Sequence, residues 1–192
     1  MGEATLCVLG SCGRPSKRPT VSRQGSPIER PLAPLPGARV AMVVSEFHAE
    51  LTGAMQRSAA AELSRLGGEV DEALVAWVPG SFELPLVARA FARREDVDAV
   101  LCFGLVIKGE TTHDHWVAAG AQQGMTQASL ETDKPILFGV LTCNTLEQAR
   151  ARALSPAEGG EQDKGRELAR GVIATLHALS AARGDAPSTE AS

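Results

Sequence analysis

Apolar and polar positions fall into blocks with two different periods along this chain. Four short blocks are almost continuously apolar, as strands of a parallel sheet are when helices cover both faces. They are Arg39–Ser45, Val70–Val78, Ala99–Ile107 and Pro135–Thr142. Between them, apolar residues recur at the three- and four-residue spacing of helices buried along one side. Leu51, Met55, Ala59, Leu63 and Leu66 form one such stripe and predict a helix from about Ala49 to Leu66, closed by Gly67-Gly68. Ser81 is placed to cap a second helix running to Arg94, with Glu83 in its first turn and Pro85 early enough to be tolerated. A third helix is predicted over His115–Glu131. A fourth begins near Thr145 and is broken by Ser155-Pro156 and Glu158-Gly159-Gly160. A last one covers Gln162–Ala182, with Leu168, Val172, Leu176 and Leu179 along one side. Four strand-then-helix units without hairpin signals predict an α/β fold: a four-stranded parallel sheet, right-handed crossovers and helices on both faces.

Composition changes this picture at the chain's ends. Residues 1–37 hold six prolines, four serines and five Lys/Arg but only two acids, with no helical or strand period. Such a segment buries too little apolar surface to offset its ordering entropy, so it is read as a disordered extension. A dispensable tail, a start assigned too far upstream and a plastid transit peptide all share this composition. Met1-Gly2 lacks the hydroxyl at position 6 that myristoylation requires. Residues 38–183 form the single predicted domain, and 184–192 read as a second tail. Hydrophobic residues make up 44% of the 192, enough for a core. The net charge of −4 and scattered basic residues give no nucleic-acid footprint, and no apolar run approaches the length of a membrane span. Cys7, Cys12, Cys102 and Cys143 show no paired spacing, so a reducing, cytoplasmic compartment is expected.

The chemistry-bearing residues gather where the strands end. Phe47 and His48 follow the first strand, and Ser81, Phe82 and Glu83 the second. Lys108 to His113 follow the third, and Thr142, Cys143 and Asn144 the fourth. In a parallel sheet these ends share one edge, where open α/β sheets place their ligands. His113 is the candidate general acid/base, since imidazole titrates near neutrality; an exposed loop histidine is the alternative. His48, His113 and His115 also raise a metal site and a metal-dependent hydrolase, without typical ligand spacing. Gly109-Glu110-Thr111-Thr112 leads into a helix and could hold phosphate through backbone N–H groups. Arg152 is either an anion partner or a solvated cation. Phe47, among polar residues in a chain with five Phe, two Trp and no Tyr, suits stacking on a flat ring. Phe138, inside an apolar run, reads as core on sequence alone.

The motifs VVSEFH, VPGSFELP, GLVIKGETTH and PILFGVLTCNTLEQARARA, in this order and followed by the final helix, resemble the lumazine synthase family of riboflavin biosynthesis over about Ala38 to Ala182. The resemblance implies a flavodoxin-like three-layer sandwich, homopentamers with active sites at subunit interfaces, and in some members sixty-subunit shells. It implies condensation of 5-amino-6-(D-ribitylamino)uracil with 3,4-dihydroxy-2-butanone 4-phosphate, without metal or organic cofactor. By matching positions, the acid/base histidine falls on His113 and the pyrimidine-stacking ring on Phe47. The ribityl segment falls on Ser81, Phe82 and Glu83, and backbone contacts to the pyrimidine on Leu105, Val106 and Ile107. The phosphate site falls on Glu110, Thr111 and Arg152, and an aromatic from the neighbouring subunit on Phe138. His48 stands where many members have Asn. Asp114, His115 and Trp116 stand where an aromatic, an acid and Tyr are common. The segment ALSPAEGGEQD after Arg152 is longer than in shell-forming members, which favours a free pentamer. A non-catalytic lumazine- or flavin-binding or scaffolding paralogue is the competing reading.

Overall fold

The computed structural model describes residues 31–184. Its elements run β1 (Val40–Ser45), α1 (Ala49–Arg65), β2 (Val75–Val78), α2 (Leu84–Ala92), β3 (Ala99–Ile107), α3 (His113–Thr132), β4 (Ile136–Cys143), α4 (Leu146–Ala153) and α5 (Lys164–Arg183), with 3-10 turns at Glu72–Leu74 and Pro156–Glu158. The strands form one parallel sheet in the order β2-β1-β3-β4. This is the parallel sheet with helices on both faces expected from the block pattern, and the three-layer, flavodoxin-like α/β sandwich that the resemblance implies.

Each face of the sheet carries its own apolar layer, which is why the strands lack alternation. On one side Met42, Val44, Leu101 and Phe103 pack with Leu51, Met55, Leu63, Val172 and Ile173 from α1 and α5. On the other, Ala41, Val43, Val100 and Cys102 pack with Leu84, Ala88, Ala121 and Met125 from α2 and α3. Burying a side chain such as Phe103 or Leu101 stabilises the fold by roughly 1.5–3 kcal/mol. The helices approach closely where side chains are absent. A Cβ on Gly165 of α5 would run into the Met55 carbonyl of α1. Glu62 of α1 is 6% exposed and bonds Arg65 at 2.7 Å and Arg170 of α5 at 2.9 Å, so its buried charge is matched across the same helix pair.

Several element boundaries differ from the sequence reading, among them the starts of β2, α2 and α3. The second strand begins at Val75 rather than Val70, because Asp71 accepts a bond from the Ala73 N–H and turns the chain through the 3-10 segment. The following helix begins at Leu84, not after Ser81. Ser81, Phe82 and Glu83 form a turn, and Ser81 is not the cap. Helix α3 starts two residues earlier than expected, at His113. Residues 31–37, assigned by composition to the N-terminal extension, place Leu32 and Leu35 against the core, and the Leu35 N–H donates to the Leu66 carbonyl. Residues 1–30 and 185–192, the remainder of both predicted tails, lie outside the described residues. No helix among the described residues is long and apolar enough to cross a membrane.

Candidate active site

The carboxyl ends of β1, β2 and β3 and the start of α3 enclose a cleft of about 570 Å³. Its first wall comes from the two strands on the β2 side. The Glu46 N–H donates to the Val78 carbonyl at 2.7 Å and the Phe47 N–H to the Pro79 carbonyl at 3.2 Å, extending the pairing past the strand ends. His48 then adopts a left-handed conformation (φ 62°), which turns the chain into α1. Phe47 is left beside the β2 exit and 66% exposed, with its ring edge-on to His48 at 4.9 Å. Thr52 Oγ1 donates to the Ser45 carbonyl at 2.7 Å and fixes the turn from below.

The Gly80–Glu83 turn supplies more of that wall. Ser81 is buried because β3 has no side chain at Gly104, where a Cβ would lie 2.5 Å from Ser81 Oγ. That hydroxyl has no hydrogen-bond partner among the described residues. Phe82 is 60% exposed and lies against α3 at Gly120, whose absent Cβ makes room for the ring. Glu83 folds its carboxylate over Gly80, with Oε2 3.0 Å from where a Cβ would stand.

The floor is the end of β3. Pairing with β1 stops at Val44 and Phe103, whereas pairing with β4 continues to Ile107 and Cys143. Leu105, Val106 and Ile107 therefore have no strand partner on their β1 side, and backbone groups facing that way are available to a ligand. The Lys108 N–H donates to the Cys143 carbonyl at 2.9 Å, after which Gly109–Thr112 crosses the rim in open space. Thr111 Oγ1 accepts from the His113 N–H at 3.4 Å, and His113 opens α3 with an exposed imidazole. The N-terminus of this 20-residue helix thus points its free N–H groups at the rim, an arrangement suited to an anion.

Nine of the twelve predicted site residues line this one cleft: Phe47, Ser81, Phe82, Glu83, Leu105, Val106, Ile107, Thr111 and His113. Three do not. Glu110 is in the rim loop next to Thr111 and is exposed. Phe138 sits on edge strand β4 and is 37% exposed, which corrects its reading as a core residue. Arg152 is half-buried in the last turn of α4, where its Nη1 donates to the Gln148 carbonyl at 2.9 Å. Its charge reaches Cys143, whose thiol burial pushes up and Arg152 pulls back down. Burial alone raises the Cys102 thiol, an inert core group. Among the described residues no three His, Cys, Asp or Glu side chains gather as a metal-binding group, so His48, His113 and His115 do not assemble into one. Gly109 of the predicted phosphate turn also lines the cleft, as do Gly80, Asp114, Trp116 and Val117, which were not among the candidate site residues. The helical spacing of Trp116 and Val117 from His113 is the signal for two of them, once α3 is started at His113.

Comparison with known proteins agrees with this geometry. Residues 37–180 match the family model described as 6,7-dimethyl-8-ribityllumazine synthase. A protein of that name from Thermus thermophilus is 47% identical over 152 residues, covering 79% of this chain and 94% of its own. The one from Salinibacter ruber is 45% identical over 137 residues, covering 71% and 85%. The one from Streptomyces coelicolor is 43% identical over 141 residues, covering 73% and 84%. A match over most of the chain, with the predicted residues converging on one rim, leads to a single conclusion: this chain belongs to the 6,7-dimethyl-8-ribityllumazine synthase family.

Proposed function

We propose that this chain condenses 5-amino-6-(D-ribitylamino)uracil with 3,4-dihydroxy-2-butanone 4-phosphate to give 6,7-dimethyl-8-ribityllumazine, phosphate and water. The observation that carries this reading is the cleft itself, in which a stacking ring, a polar turn, open strand backbone, a helix N-terminus and an imidazole face one space. The flat pyrimidine stacks on Phe47 and bonds the free backbone of Leu105, Val106 and Ile107. The ribityl chain lies along Ser81, Phe82 and Glu83, whose carboxylate accepts from its hydroxyls. The phosphate meets the N–H groups of Glu110 and Thr111 at the α3 N-terminus.

The 5-amino group attacks the ketone and the carbonyl oxygen leaves as water, giving an imine. Loss of phosphate takes the C–O bond electrons with the leaving group, and a carbon-bound proton is removed to compensate. The enol left by that elimination takes a proton at its terminal carbon and becomes a methyl ketone, and the ribitylamino nitrogen closes on this new carbonyl, expelling a second water. No step changes the net oxidation state of the pair, so the balance calls for no redox cofactor. His113 moves the protons beside the reacting carbons. Most of the rate comes from holding two reactants in register, so the acid/base contribution is the smaller one.

Phe138 and Arg152 belong in this reading to the cleft of a neighbouring copy, in a homopentamer whose sites lie between subunits. Support comes from their positions: an aromatic ring exposed on an edge strand, and an arginine outside its own cleft. Arg152 there supplies a permanent, forked charge for the phosphate. The longer segment between Arg152 and Lys164, shaped by the Ser155–Glu158 capping box, favours the free pentamer over a shell. The location in this reading is cytoplasmic, a compartment that suits the free thiols of Cys102 and Cys143.

The test is an assay of the purified full chain with both substrates, following lumazine fluorescence and phosphate together. Equal amounts of lumazine and phosphate, formed only when both substrates are present, are expected. Binding of lumazine without turnover in an assembled protein would replace this reading with that of a binding paralogue.

A further inference from the structure

We infer that Trp116 is a further substrate-binding residue of this cleft, whose indole packs on the second ring as it forms and so holds the bicyclic product more firmly than the uracil substrate. The inference rests on the proposed reaction and adds a residue to which the family resemblance gives no role. Trp116 lines the cleft together with His113 and Val117, three and four residues along the same helical face. It is 66% exposed and packs in neither core layer; among the described residues its one ring contact is edge-on to His115 at 5.2 Å. Trp77, the other tryptophan, sits on edge strand β2 and does not line the cleft.

The order of the walls gives the indole its ligand. Phe47 and the Ser81–Glu83 turn stand on the side where the uracil and its ribityl chain bind. His113 stands where the new bonds are made, on the α3 side. Phe82 is seated on α3 at Gly120, one turn beyond Trp116, and both rings line the cleft. The reaction adds a second flat ring to the first, and that ring grows beside His113. An exposed indole on the next turn is then in place to stack on it, a contact the single-ring substrate makes only weakly.

The experiment compares wild type, Trp116→Ala and Trp116→Phe by equilibrium binding of 6,7-dimethyl-8-ribityllumazine and of the uracil substrate, with assembly mass and thermal midpoint alongside. Trp116→Ala is expected to weaken the product roughly three- to tenfold, the scale of one aromatic stack, and the uracil by no more than about twofold. Trp116→Phe should recover most of the difference. Equal weakening of both ligands, or none, overturns the proposal. So does a Trp116→Ala protein that loses its assembly, since the indole would then be covered by a neighbouring copy. Wild type that binds neither ligand would instead overturn the proposed function, a result distinct from any of these.

Discussion

Gly104 sets the depth of the cleft floor by having no side chain. A Cβ there would lie 2.5 Å from Ser81 Oγ, 3.0 Å from Leu84 Cδ1 and 3.1 Å from Val140 Cγ2, three groups from three elements. Gly104→Ala should therefore cost about 1–3 kcal/mol through overpacking and push Ser81 toward the ligand. Urea denaturation with a raised KM for the uracil substrate checks both effects. Gly109→Ala is the control: nothing stands within 4 Å of it, so stability should barely move. His113→Ala should slow turnover by about 10²-fold or less, leaving clear lumazine formation, because orientation of the substrates survives the change. Total loss in an assembled protein would contradict that division. Arg152→Ala should raise KM for the butanone phosphate by roughly 10- to 100-fold, as for loss of a charged hydrogen bond, with kcat changed less. An unchanged KM would remove Arg152 from the phosphate site.

Elements were legible where local pattern and tertiary contacts agreed. Ala99–Ile107 is a strand over the predicted span because the sheet buries it on both faces. Val70–Leu74 is not, because the Asp71 side chain offers the backbone a turn that competes with pairing. Ser81 carries a cap's chemistry but is taken into the notch at Gly104, so the helix waits until Leu84. The α1–α5 pair adds a charge device that periodicity does not reveal. Glu62 titrates at about 2, chiefly through its hydrogen bond from Arg65 and then that from Arg170, against the opposing effect of burial. A carboxyl pulled down on folding stabilises above its unfolded pKa near 4.5, and that contribution is lost as pH falls toward 2. Glu62→Gln should accordingly cost about 2 kcal/mol at neutral pH. Below the folded pKa the two proteins should converge. Denaturation midpoints across that acid range check it, and a pH-independent difference would contradict the linkage.

At the scale of the whole molecule, Phe47, Ser81, Phe82, Glu83, Thr111 and His113 could be read from strand ends alone, since a parallel sheet brings them to one rim. Two of the twelve candidates could not be placed in that way. Phe138 and Arg152 carry the right residue types, yet neither lines the cleft of its own chain. One sequence cannot say which copy a side chain serves, because that depends on a symmetry operation and not on spacing. In the proposed assembly, lumazine forms in a cleft whose two halves come from adjacent copies. The most direct test is co-assembly of a chain carrying Phe47→Ala and His113→Ala with a chain carrying Arg152→Ala, each nearly inactive alone under limiting butanone phosphate. Random mixing in a closed ring leaves roughly a quarter of clefts with both halves intact, so lumazine formation should return to about that fraction of wild type. Co-assembled rings no more active than a mixture of the two separately assembled proteins would contradict the shared site.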